Sequence, residues 1–183
     1  MRTMRLSFSV LAAAVLATAC GEGRAIFNVD VYSFIQGTGG DTLGYIIPAG
    51  VNDSVQDPAR GVTMLKGLGN AVVDTVVLTG NALIENQTGG GNITFKVFFG
   101  LDSNTVYTTA PLLISNGTAG PGAGTDTLKF QATLTSAQDS IFTQGKAFVG
   151  IQVGFANTSG TTLQGRFQLH ALDLHIVTKE KIF

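Results

Sequence analysis

An all-β fold, an antiparallel β-sandwich of the jelly-roll or immunoglobulin-like kind, is what this sequence predicts, and three observations predict it. Apolar and polar residues alternate with a period of two over most of the chain, which sets every second side chain on one face of a strand. Clusters of Gly, Asn and Pro recur between the alternating runs and supply the backbone conformations of tight turns. The runs are short and closely spaced, nine to ten of them, which is the rhythm of a two-layer all-β domain.

The first strand covers Phe27 to Ile35, with Phe27, Val29, Val31 and Ile35 inward and Asn28, Asp30 and Tyr32 outward. Gly37-Thr38-Gly39-Gly40 turns the chain into a second strand, Thr42 to Ile47. Asn52 to Arg60 is polar, contains Pro58 and reads as a loop. Strands follow over Ala71 to Thr79 and Ala82 to Thr88, then a Gly89-Gly90-Gly91-Asn92 turn and a strand with Ile93, Phe95, Val97 and Phe99 inward. Val106 to Ile114 is a further strand, and Asn116-Gly117 and Gly120 to Gly124 read as turns.

The second half alternates more cleanly. Leu128, Phe130, Ala132 and Leu134 share a face, and so do Ala147, Val149, Ile151, Val153 and Phe155. Between these two strands one short helix is expected near 136–143, with Ser136 as N-cap, Asp139 at the third helical position and Gly145 beyond its end. In the last strand Leu163, Phe167, Leu169 and Ala171 face inward, after which the inward set changes to Leu172, Leu174 and Ile176. Such a change of parity requires a bulge, placed here at Ala171-Leu172.

The N-terminus has a different character. Met1-Arg2-Thr3-Met4-Arg5 is basic, and Leu6 to Ala19 is apolar but shorter than the roughly 20 residues that a spanning helix needs. Two arginines hold the first residues on the cytoplasmic side, so the segment reads as an export signal. Leu16-Ala17-Thr18-Ala19-Cys20 resembles the lipobox of bacterial lipoproteins, and Cys20 is the chain's single cysteine. The resemblance covers about the first 20 residues and implies that Cys20 carries a thioether-linked diacylglycerol and starts the mature chain. Ala17 stands where that family usually has Leu or another branched aliphatic, which leaves cleavage after Ala19 by the ordinary small-residue route as the alternative. The expected organisation is a signal peptide over 1–19, a tether over 20–24 and one β-sandwich domain over 25–183. The four residues Gly21 to Arg24 reach about 14 Å at most. The domain is therefore expected close to a bacterial membrane, on its extracytoplasmic side.

Without residues 1–19, which hold Arg2 and Arg5, nine Lys/Arg remain against twelve Asp/Glu. A mildly acidic chain with scattered lysines lacks the basic footprint of a nucleic-acid binder. A domain of this size buries on the order of 70% of its unfolded surface and needs no disulfide.

Few constellations carry chemistry. His170, Asp173 and His175 are the one cluster of imidazole and carboxylate, and a bulge would be needed to bring all three to one face as metal ligands. Asp41 and Asp126 in acidic loops are weak calcium candidates. No Gly-x-Ser-x-Gly, His-Glu-x-x-His or phosphate-loop frame is present, so neither an enzyme nor a cofactor is expected. The expectation is a non-catalytic accessory or structural subunit, bound to the membrane through Cys20 and to another envelope or membrane protein through sheet faces or loops, with outward Phe98 and Phe148 as candidates for that contact or for a second buried layer. The alternative is a ligand-binding module for envelope polysaccharide or calcium at the glycine-rich loops, and a third reading, a metal-dependent hydrolase, requires His170, Asp173 and His175 to meet in a pocket.

Overall fold

The computed structural model describes residues 23–64, 72–134, 141–142 and 144–180. They form ten strands in two antiparallel five-stranded sheets. The first sheet holds β1 (Gly23–Asp30), β2 (Thr42–Ile47), β5 (Val72–Thr88), β8 (Gly124–Thr133) and β10 (Leu163–Glu180). The second holds β3 (Asn52–Gln56), β4 (Arg60–Thr63), β6 (Gly91–Gly100), β7 (Leu113–Ala119) and β9 (Lys146–Asn157).

The strand order decides between the two sandwich classes. β1 and β2 both pair with β10, at its C-terminal and N-terminal halves, and β3 and β4 pair in the same divided way with β9. Counting each divided edge once leaves eight positions, ordered β1/β2-β10-β5-β8 and β3/β4-β9-β6-β7. That is the two-Greek-key order of a jelly roll.

Several elements differ from the expectations. The segment read as a loop over Asn52 to Arg60 forms β3 and the start of β4. Both are edge strands with one partner, β9, so polar residues there stay in water, and Pro58 sits in the break between them where no ladder donor is required. The strands expected on either side of Gly80-Asn81 are one continuous β5. Gly80 is a socket rather than a breaker: a Cβ there would run into the Ala171 carbonyl and lie 2.7 Å from Cζ of Phe130, its cross-strand neighbour. Val106–Thr108 is a 3-10 turn, not the start of a strand, and Asn116-Gly117 lies inside β7. β1 ends at Asp30, and Tyr32–Phe34 is a second 3-10 turn. The helix expected near 136–143 falls largely outside the described residues. Its last part holds Phe142, which is buried and packs 5.6 Å from Phe99.

The core lies between the sheets. Phe95 of the second sheet meets Phe130 at 4.8 Å and Phe167 at 5.3 Å from the first, and Tyr45 meets Phe155 at 4.5 Å. Contacts of this kind contribute about 0.5–1.5 kcal/mol each beyond the area they bury. β10 carries its bulge between Leu169 and Ala171, one residue before the expected position, so Leu169 and Leu172 both point inward and Ala171 is half-buried.

The strands fix two ends. At one lie the loops 48–51, 89–90, 120–123 and 158–162; at the other β1 begins, beside the end of β10 and the start of β5. Two buried asparagines staple the loop end. Asn86 Nδ2 donates toward the carbonyls of Gly89, Gly120 and Gly122 at 2.8–2.9 Å. Asn157 Nδ2 donates toward those of Ile47, Pro48 and Thr161 at 2.8–3.0 Å.

Candidate functional site

The bulge in β10 turns His170, Asp173 and His175 to the outer, exposed face of the first sheet. It does not gather them. His175 Nδ1 lies 2.7 Å from Oδ1 of Asn28, its neighbour on β1, while Asp173 stands opposite Asp30. Partial burial, and then the Asp30 charge, push the Asp173 carboxyl above its ordinary range. Among the described residues no three His, Cys, Asp or Glu side chains form a group that could hold a metal ion.

The calcium candidates are also apart. Asp41 adjoins β2 and accepts the Gly37 N–H at 3.2 Å, whereas Asp126 belongs to β8 on the opposite edge of the sheet and accepts the Thr127 N–H at 2.8 Å. The 120–124 loop covers a small cleft of about 240 Å³ and is tied down by Asn86. Cys20 lies outside the described residues.

Phe98 and Phe148 sit on the outer face of the second sheet, as their parity requires, but neither stands free. Phe98 is 4% exposed, because the Tyr107 ring packs edge-on against it at 5.3 Å. Phe98 therefore offers no contact surface. Phe148 is half-buried, with Lys146 Nζ 4.8 Å from its ring centre. Tyr107 itself rests on Gly150, where a Cβ would lie 2.8 Å from Cζ of the ring. Its hydroxyl accepts the Ile151 N–H at 3.1 Å and donates toward the Asp57 and Ile151 carbonyls. Desolvation pushes that phenol above its usual pKa.

Beyond this aromatic group, the same face becomes polar and low. Register across β3, β9, β6 and β7 sets Ser54, Gly154, Thr94 and Asn116 in one row, and Asn52, Ala156, Asn92 and Thr118 in the next toward the loop end. Gly154 and Ala156 form a floor between taller amides and hydroxyls. Thr94 donates to Asn116 Oδ1 at 3.0 Å, and Gln152 donates to Ser54 Oγ at 3.3 Å. Two open grooves share this surface, one of about 280 Å³ toward β3 and one of about 730 Å³ that continues round the β7–β8 edge to Asp126 and Lys129. Sequence reading missed these rows because Asn52 to Gln56 looked like a loop and Asn116-Gly117 like a turn. The available signal was the polar alternation Asn52, Ser54, Gln56 beside Asn92, Thr94, Lys96.

No protein-family model and no curated protein sequence matches this chain. Among solved structures, the chain is similar to the VP2 subviral particle of infectious bursal disease virus, with a TM-score of 0.46 at 7% identity over 86% of this chain and 33% of that one. The Gx strain of the same virus gives 0.43 at 9% identity over 87% and 37%. A carbohydrate-binding module specific for non-crystalline cellulose gives 0.36 at 13% identity over 76% and 89%. The chain spans about a third of the length of the two viral chains. The jelly roll is thus assigned from the order of its own strands.

Proposed function

We propose that this β-sandwich is a non-catalytic accessory subunit of a bacterial envelope or membrane-protein complex, held at the membrane by a lipid on Cys20. One observation carries the reading: β1 begins at Gly23, three positions after Cys20, and pairs with the end of β10 from its first residue. Three residues of extended chain reach about 10 Å. A diacylglycerol on Cys20 therefore sets this end of the sandwich against the bilayer and the four-loop end away from it. β10 runs the length of the domain, and its 18 residues span about 60 Å. At this near end Arg24 and Lys179 pair with Asp74 at 4.0 and 2.5 Å.

The test is twofold. Mass spectrometry of the native protein should find diacylglycerol on Cys20, and Cys20→Ser should release the chain from the membrane fraction; unchanged retention overturns the anchor. Mild solubilisation followed by capture of the native protein should recover an envelope protein in fixed stoichiometry, and capture of the lipoprotein alone overturns the subunit role. The ligand-binding reading has a specific observation in its favour too, the uncharged rows on the second sheet.

A further inference from the structure

We infer that the outer face of the second sheet binds a neutral oligosaccharide chain, lying along β9 from Tyr107 to the Asn92 and Asn116 rows. This goes beyond an accessory role at the membrane and does not depend on the anchor, because the rows lie in the half of the sandwich far from Gly23.

Three features select that ligand class. The rows present amides and hydroxyls that both donate and accept, as the vicinal hydroxyls of a sugar do, and they carry no formal charge. Lys96 stands beside Gln152, between Tyr107 and the rows, and Asp126 with Lys129 lines the far groove, charges of both signs that favour neither polyanion nor polycation. Beyond Gln152, Tyr107 lies on Gly150 and is half-buried, so the ring is supported from below and part of it stays open to water. A pyranose has an apolar C–H face that stacks on such a ring. From Gly150 to Gly154 is four residues of β9, about 13 Å, a span that a chain of sugars crosses and a monosaccharide does not.

The other occupants fit worse. A protein partner needs an apolar centre rich in aromatic, Met or Arg residues, and the two rows have none. Nucleic acid needs a run of cations for its phosphates.

Gly154→Leu supplies the sharpest test, since a Cβ at this position meets nothing closer than 3.8 Å and the longer side chain fills the floor without disturbing the sheet. Binding is measured on the full chain carrying Cys20→Ser, so that the ligand and the anchor are read apart. A panel of cellotetraose, xylotetraose, maltotetraose and an acidic oligogalacturonate is titrated calorimetrically. At least one neutral tetrasaccharide should bind saturably, with affinity falling tenfold or more in Gly154→Leu and in Asn92→Ala while melting temperature is held. No saturable binding in the panel, binding to the acidic oligosaccharide alone, or undiminished affinity in folded Gly154→Leu overturns the inference.

Discussion

Removal of the Asn157 amide should cost this domain a large part of its stability. Asn157 is 4% exposed, and its Nδ2 serves three carbonyls while its Oδ1 accepts the Ser159 N–H at 2.9 Å and the Ser159 hydroxyl at 2.8 Å. Asn157→Ala leaves those backbone groups without their partner. A buried polar group stripped of its hydrogen bond costs about 1–3 kcal/mol. Water at the loop end can reach some of them, so about 3 kcal/mol is the expected net loss. For a domain of this length that corresponds to a fall of about 6–12 °C in Tm.

Asn157→Asp adds a test of sign. Its new carboxyl would face three carbonyl oxygens in a buried site, which raises its pKa in the folded state. A folded pKa above the unfolded value means that the folded state holds the proton more tightly. The penalty should therefore be smallest below about pH 4 and grow as pH rises toward the folded pKa. Circular dichroism melts and urea titrations across pH give both numbers. Arg166→Ala is the control, since its pair with Glu85 at 2.7 Å is exposed and worth about 0–1 kcal/mol. A melt of Asn157→Ala within about 2 °C of the parent, below the shift for 1 kcal/mol, or a pH-independent Asn157→Asp, refutes the reasoning.

Burial pushes the Tyr45 phenol up to about 12. Its folded pKa exceeds the unfolded value near 10, so its contribution is full below about pH 10 and is lost as pH climbs toward 12; Tyr45→Phe should flatten that alkaline limb, and phenolate absorbance showing all three tyrosines titrating normally would contradict it. Tyr107→Phe should cost about 1–3 kcal/mol by leaving the Ile151 N–H and Asp57 carbonyl unserved. Gly150→Ala, which intrudes on the same ring, should be non-additive with it in a double-mutant cycle. Gly80→Val should cost about 3 kcal/mol or more by displacing Phe130, whereas Gly44→Val, with nothing within 4 Å, should be nearly neutral; equal urea midpoints for the two would remove the socket role of Gly80.

The faces of the strands were legible from residue types alone. Leu163, Phe167 and Leu169 point inward as their alternation requires, and the change of parity near Ala171 announced a bulge that lies one residue earlier. Period-two patterning records which side of each strand meets the core, and that is a local property. Edges were not legible, because β3 pairs on one side and keeps polar residues on the other, so its composition matches that of a loop. Gly80 looked like an interruption for a related reason: its partner Phe130 is 50 positions away, and nothing adjacent to Gly80 reports it.

The candidate site divides along the same line. His170, Asp173 and His175 are close in sequence and were brought to one face as the bulge demands, yet their immediate partners became Asn28 and Asp30 from β1. Phe98 kept its outward parity and lost its exposure to Tyr107, which arrives from a different connection. The rows of Asn and Thr on the second sheet exist because β3, β9, β6 and β7 take one register, and Asn86 and Asn157 became staples because four loops converge on them. Alternation, turn chemistry and the Cys20 motif are written within a few residues of one another and can be read in order. Strand neighbours, register and the partners of buried amides are set by contacts between distant segments, so they appear once the two sheets have closed on their core.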